Sequence, residues 1–359
     1  MNLLERLNDL DRRWIFLLMG LAVAIPIIVI NLTGRTLPEV PTPLAKSTFQ
    51  ILDDLEPGSR ILMAWDFDPA SEGELGPMAN SFVRQCCQKG HRLYFLTLWP
   101  LGPQMIRSSA SKVIAEFFPD THARYGEEWV DLGFKAGNEA VIKTIVTDFP
   151  QMFPTDAKGT PLESIPMMEG IDSLQNFDAI INVSAGFPGS KEWVLYAATP
   201  LKKPMLVGCT GVQAPQMYPY VPAQVQGLLG AIKGAAEYES VVNSWMRTQL
   251  FSEALAADGI DGVDGSLVTS FPREVAEVAG WASGRSGDGL TAAQASAIEG
   301  LSPDRMQVLV DIAHDPEPGI FMEAQRRMGP QLVAHLLMIV LIVVGNLVYF
   351  ANRRRGGAR

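Results

Sequence analysis

The stretch "DAIINVSAGFPGSKEW", residues 178–193, passes from an apolar run through a small, glycine-rich loop into the start of a helix. The near-continuous apolar run fits a strand covered on both faces, and Ser-Lys-Glu opens a helix directly behind it. A strand, tight turn and helix in this order is the repeating unit of a parallel sheet with crossover helices. The loop also has the look of a phosphate cradle. A P-loop needs G-x-x-x-x-G-K-[ST]. Here only two residues separate Gly186 from Gly189, Ser190 precedes Lys191, and Pro188 removes a backbone donor. The dinucleotide pattern G-x-G-x-x-G is missing as well. Ser190 is placed to cap the helix, whose first N–H groups offer a carboxylate or phosphate a generic site.

Outward from this unit the same alternation recurs. Strands are expected over 60–67, 92–99, 129–134, 178–185 and 204–210, with helices over 76–90, 102–118, 138–149 and 190–199 between them. This gives a Rossmann-like three-layer α/β domain over about residues 48–250, with a mainly parallel sheet of about five strands. A long helix is expected over 221–246. Gly227, Gly230, Ala231, Gly234 and Ala235 form a small-residue stripe along it, and close approach of a second backbone would offset the cost of the glycines. The long connection 149–170 carries Met152, Phe153, Ile165, Met167 and Met168, too apolar for a disordered loop, and is expected as a folded flap. Residues 251–329 are rich in Ala, Gly, Ser and Asp and fit a small helical insertion or lid, with helices at 272–282, 291–298 and 303–314.

Both ends of the chain are different in kind. Trp14–Leu32 and Leu332–Phe350 are uncharged apolar stretches of about 19 residues, the length of a helix that crosses a bilayer. Spans are therefore expected over 14–33 and 330–351. No small-x-small cleavage site follows the first, so an uncleaved anchor is expected. Leu3, Leu4, Leu7 and Leu10 recur at helical spacing and imply an interfacial amphipathic helix over 1–13. Three prolines in 34–47 imply an extended stalk. Arg6, Arg12 and Arg13 before the first span, and Arg353, Arg354, Arg355 and Arg359 in the basic tail 352–359, outnumber Arg35, Lys46, Arg326 and Arg327 on the domain side. The bias places both termini in the cytoplasm and the α/β domain outside it. The chain carries a net charge of −10 and its only basic concentration is that tail, which argues against nucleic acid as a partner. Three cysteines form no disulfide framework, and they are expected as buried small apolar residues.

In open parallel sheets ligands gather beyond the C-terminal ends of the strands. The candidate ligand-binding residues there are Asp66 and Asp68 after the first strand, Trp99 after the second and Lys135 after the third. Gly186, Gly189 and Ser190 follow the fourth, and Thr210 and Gly211 the fifth. Asp66 and Asp68, two residues apart, are a candidate pair for a divalent cation in a metal-dependent hydrolase or transferase. The competing role for Asp68 is to cap the turn at Pro69, with Glu72 and Glu74 solvated. Asn138 is expected to cap the helix after the third strand. His91, His122, His314 and His335 are scattered, no HExxH or G-x-S-x-G occurs, and no cofactor is identified. The balance lies against an enzyme. The sequence fits a two-pass membrane-anchored domain acting as a ligand- or partner-binding sensor, a scaffold or an accessory subunit. Its expected partners are the lipid bilayer and either copies of itself or other membrane subunits. His335 and Asn346 lie within the second span, where polar groups face another helix, that of the first span or of another subunit.

Overall fold

The structure is a computed structural model and describes residues 11–34 and 36–356. Six strands form one all-parallel sheet: β1 Arg60–Asp66, β2 Arg92–Thr97, β3 Trp129–Phe134, β4 Ala179–Ser184, β5 Met205–Cys209 and β6 Gly227–Gly230. Their order is 3-2-1-4-5-6. The chain therefore reverses direction across the sheet between β1 and β4. There Trp65 pairs with Val183 and Asp66 with Ser184, so the two strands end flush. Successive side chains of a strand point to opposite faces. Ile61, Met63 and Trp65 enter one core while Leu62 and Ala64 enter another, which is why this stretch is apolar without alternation. The fold is α/β, with helices on both faces.

The helices that position the rim are α1 Arg12–Thr33, α2 Pro43–Asp53, α3 Glu72–Gln88, α4 Gly102–Ser109, α5 Glu139–Ile145 and α6 Ser190–Trp193. The long α7 Ala231–Ala257 follows β6. α8 Val275–Gly284, α9 Ala292–Glu299 and α10 Pro303–His314 come next, and α11 Glu323–Gly356 is last. The helices expected over 102–118 and 190–199 each loosen part-way, into π turns at Ala110–Ala115 and Val194–Ala198.

Four expectations change. The helix expected over 221–246 is divided: Gly227–Gly230 is a sixth strand and the helix begins only at Ala231. A Cβ on Gly227 would stand 2.5 Å from Thr48 Oγ1 and 2.7 Å from Leu206 Cδ2, so this glycine lets α2 and β5 close on β6. Gly234 does lie in α7, and a Cβ there would stand 2.8 Å from the carbonyl carbon of Leu229, so its close approach is to the domain's own sheet. The extended stalk expected over 34–47 gives way at Pro43 to α2, which belongs to the domain. Its N-cap Thr42 donates from both N–H (3.0 Å) and Oγ1 (2.5 Å) to Glu237 Oε2, and Ser47 Oγ donates to the carbonyl of Gln226. Helix α3 starts at Glu72, earlier than the expected 76, and takes Glu72 and Glu74 into its first turn. The helix expected over 138–149 stops at Ile145, and Asn138, at φ 51°, makes no capping bond.

The segment 149–170 folds as a cover. Phe153, Leu162, Ile165, Met167 and Met168 are buried in the second core. Ala157 N donates to Asp131 O of β3 (2.8 Å), which occupies backbone that an edge strand would leave open. Residues 251–314 build a third apolar core around Phe251, Leu255, Val278, Ile298 and Leu309. Phe251 lies 20 residues along α7 from Ala231, roughly 30 Å at 1.5 Å per residue. The helical segment is thus at the far end of α7 from the strand ends and is not a lid over them. Cys86, Cys87 and Cys209 are free and buried.

Among the described residues two helices are long and apolar enough to cross a membrane, within Arg13–Thr33 and Glu323–Phe350. They pack side by side. Met19, Ala22, Pro26 and Ile30 of α1 are its partly covered positions, and within the apolar run of α11 Ala334, Leu337, Leu341 and Val344 are partly covered and Val348 is buried. Both sets follow the helical repeat of one seam. The remaining apolar surface of both helices is exposed. The interfacial helix expected over 1–13 lies outside the described residues up to position 10, as does the end of the basic tail beyond 356.

Helix α11 leaves the domain in a defined direction. Asn243 Nδ2 donates to Phe321 O (2.9 Å), Glu239 accepts from Ala324 N and Gln325 N (3.0 Å each), and Arg327 reaches Gly73 O. α3 and α7 both run back from the C-terminal ends of the strands. Passing from 321 to 327 moves from Asn243 to Glu239 on α7 and up to the first turn of α3. Helix α11 therefore travels toward the C-terminal edge of the sheet and past it.

Candidate functional site

The switch point between β1 and β4 gathers most of the candidate residues. Asp66 ends β1, where strand pairing directs it inward, and it is fully buried. Its Oδ1 accepts from Leu98 N (2.7 Å), and its Oδ2 accepts from Asn182 Nδ2 and Trp193 Nε1 (2.8 Å each). Burial pushes the carboxyl up to about 7 against these three donors, and nearby Glu192 pushes the same way. The carboxylate ties the β2 loop, β4 and α6 to the end of β1. Both of its oxygens are engaged by protein.

Asp68 serves its own turn. Its Oδ1 accepts from Ser71 N (3.2 Å), closing the turn that precedes α3. Asp66 and Asp68 thus do not present two carboxylates to one cavity. Among the described residues no group of three or more His, Cys, Asp or Glu could hold a metal ion. Glu72 accepts from Lys112 Nζ (2.9 Å), and Glu74 Oε1 accepts from Gly211 N (2.8 Å), so neither is simply solvated.

The glycine-rich loop closes on itself. Ser190 does not cap; Gly189 occupies the cap position and its N–H donates to Glu192 Oε2 (2.9 Å). Ser190 Oγ donates to Asn182 Oδ1 (2.7 Å), and Ser190 N donates to Ser184 Oγ (3.2 Å). Ser184 Oγ donates to Gln213 Oε1 (3.0 Å), and Gln213 Nε2 donates to Gly186 O (2.9 Å). A Cβ on Gly189 would stand 2.3 Å from both Gly186 O and Ser184 Oγ, so only glycine fits this fold of the loop. Of the N–H groups at this helix start, those of Gly189, Ser190 and Glu192 are therefore already bonded.

Trp99 belongs to the same cluster. Its Nε1 donates to Pro188 O (2.7 Å), and a Cβ on Gly186 would meet its ring at 3.4 Å. Thr210 is buried, and its carbonyl accepts from Gln213 N and Ala214 N (3.0 Å each). Lys135 stands apart, on the β3 side, with its ammonium 5.4 Å from the Phe153 ring centre. The structure joins Asp66, Trp99, Gly186, Gly189, Ser190, Thr210 and Gly211 in one rim. It leaves Asp68 and Lys135 outside the hydrogen-bonded network.

Sequence reasoning missed Asn182, Trp193, Ser184 and Gln213, which hold that network. One signal was present: Asn182 is a lone amide inside an apolar strand, and a buried amide needs partners. Around this network lies an exposed apolar fringe, Leu101, Phe187 and Val212, on the loops after β2, β4 and β5. No family model matches the chain, and neither curated proteins nor solved structures give a match.

Proposed function

We propose that this is a two-pass membrane protein whose Rossmann-like domain serves a complex in the membrane, as an accessory subunit, scaffold or ligand-responsive sensor, rather than as an enzyme. One observation carries it. His335 and Asn346 are both exposed on α11, eleven residues apart and therefore on one stripe of the helix, with Met338 and Ile342 between them. That stripe lies opposite the seam with α1, so α1 does not satisfy these polar groups. An imidazole and an amide facing hydrocarbon are costly, and a helix of another subunit or of a second copy relieves that cost.

The arginine bias around the two apolar helices supports termini in the cytoplasm and a domain outside it. The acidic domain speaks against nucleic acid as a partner. Metal-dependent hydrolysis or group transfer by Asp66 and Asp68 draws no support from a pair in which Asp66 has both oxygens bonded by protein and Asp68 accepts from its own turn.

Purification in mild detergent followed by native mass spectrometry is the test. A second copy or another membrane subunit is expected to accompany the wild-type chain and to be lost from the His335→Leu, Asn346→Leu double variant. A monomeric wild-type protein without companions overturns the proposal. Protease added to spheroplasts is expected to digest the domain, and a protected domain reverses the orientation.

A further inference from the structure

The fringe of the rim is apolar, and it faces the way the two long helices go. Leu101, Phe187 and Val212 are 54%, 63% and 84% exposed, from three different loops at one edge. Two contacts fix their level along α11. Arg327 reaches Gly73 O, and Glu74 in the same turn accepts from Gly211 N, the neighbour of Val212. The Val212 loop therefore stands level with Arg327. The apolar run of α11 begins at Leu332, five residues on, roughly 7–8 Å along a helix. The headgroup layer of a bilayer is about 5–8 Å deep on each side.

The opposite side of the rim agrees. Val40, 79% exposed, adjoins Glu39, which pairs with Lys233 in the first turn of α7. A cleft of about 700 Å³ where α1 and α11 meet the domain is lined by Ile27, Ile30 and Pro330 and by charges of both signs, Lys112, Arg326, Glu116 and Glu323 among them. Arg326 there makes no ion pair among the described residues. An apolar fringe and an uncommitted guanidinium at one level suit the boundary between headgroups and acyl chains.

We infer that this edge of the domain is a lipid-docking surface, with Leu101, Phe187 and Val212 seated shallowly in the near leaflet. This rests on α1 and α11 spanning a membrane. The C-terminal edge of the sheet then faces lipid rather than open solvent, and the bonded-up network of Asp66, Asn182 and Gln213 forms its dry underside.

The test uses the full chain in phosphatidylcholine vesicles, with an environment-sensitive fluorophore on single introduced cysteines. The native cysteines are buried. Phe187→Cys, Val212→Cys and Leu101→Cys report on the rim, so one misfolded variant does not decide the result. Glu56→Cys, exposed in the turn before β1, reports on the far edge, and Val340→Cys reports on the span itself. Rim labels are expected to be quenched by lipids carrying a nitroxide near the headgroup, and to be several-fold less sensitive to aqueous iodide than the label at position 56. A rim label as open to iodide as position 56, with position 340 quenched by lipid, overturns the docking surface and leaves the anchor. A label at 340 open to iodide removes both. Rim labels shielded from lipid and iodide alike show a protein covering the edge, which also overturns it.

Discussion

Glu239 of the α/β domain accepts the backbone N–H of Ala324, in the first turn of the helix that leaves the domain, at 3.0 Å, and that of Gln325 at the same distance. Both are among the donors that a helix start leaves without intrahelical partners. The carboxylate is buried, and burial pushes it up to about 7 while the two N–H groups pull it down. A negative charge also suits a helix N-terminus. Domain and helix are therefore joined by a polar clamp as well as by packing. Glu239→Ala orphans both donors and is expected to cost about 1–3 kcal/mol. Glu239→Gln keeps one oxygen and should lose less. Thermal unfolding in detergent ranks the three proteins, and an Ala variant as stable as wild type denies the clamp.

Asp66 gives the fold a pH dependence of definite sign. Its carboxyl is raised from an ordinary 3.8 to about 7 in the folded chain. The native state thus binds this proton more tightly than the unfolded chain does. Its contribution is complete below the ordinary value and is lost as pH rises through about 7. Stability is expected to fall across that window by up to a few kcal/mol, at about 1.4 kcal/mol per pKa unit. Asp66→Asn removes the Asp66 part of the slope and leaves that of Glu239. It also lowers stability at every pH, because the amide N–H₂ would face either Leu98 N or both Trp193 Nε1 and Asn182 Nδ2, donor against donor. Unfolding measured from pH 4 to pH 8 checks this, and an unchanged slope in the variant refutes it.

Five of the six strands were legible because a strand buried on both faces is apolar almost throughout, as in Ile61–Trp65 and, but for Asn182, Ala179–Val183. β6 was not. "GLLG" is too short for a period, and its two glycines read as a helix stripe because the neighbours that require them, Thr48 and Ala214, come from distant sequence. The rim showed where Asp66 lies but not what it does. Its partners Asn182 and Trp193 are 116 and 127 residues away, and only the strand order brings them together. Capping was the weakest inference: Asn138 holds the cap position but makes no capping bond, and Gly189 takes the cap in place of Ser190.

Gly227 measures how tightly β6 is held. A Cβ there would lie 2.8 Å from Thr48 Cα as well as inside contact distance of Thr48 Oγ1 and Leu206. Backbone cannot yield as a side-chain tip can. Gly227→Ala is expected to destabilise by about 1–3 kcal/mol, the usual cost of overpacking. Thr48→Ala relieves one of the three clashes, so the double variant should recover part of the loss. Chemical unfolding of the three variants checks the expectation, and Gly227→Ala with no effect would show that α2 moves freely on β6.

Arg84 joins α3 to the segment that leads into α11. Its guanidinium is buried, meets Glu317 Oε2 at 2.8 Å, bonds Asn243 Oδ1 and lies 3.9 Å from the centre of the Phe321 ring. Burial lowers the arginine from its ordinary value, and Glu317 pulls it back. Arg247 approaches the other oxygen of Glu317 at 3.5 Å, so one carboxylate serves two cations. Removing one member of a buried pair strands the other, which typically costs about 3–5 kcal/mol. Arg84→Ala should lose that much, adding the packing on Phe321, while Glu317→Ala leaves Arg84 with Asn243 alone. Because each single change already breaks the same pair, the double variant should fall well short of the sum. A double-mutant cycle by thermal unfolding in detergent reads the coupling. Strict additivity would mean that α3 and the approach to α11 are held by their apolar contacts and not by this pair.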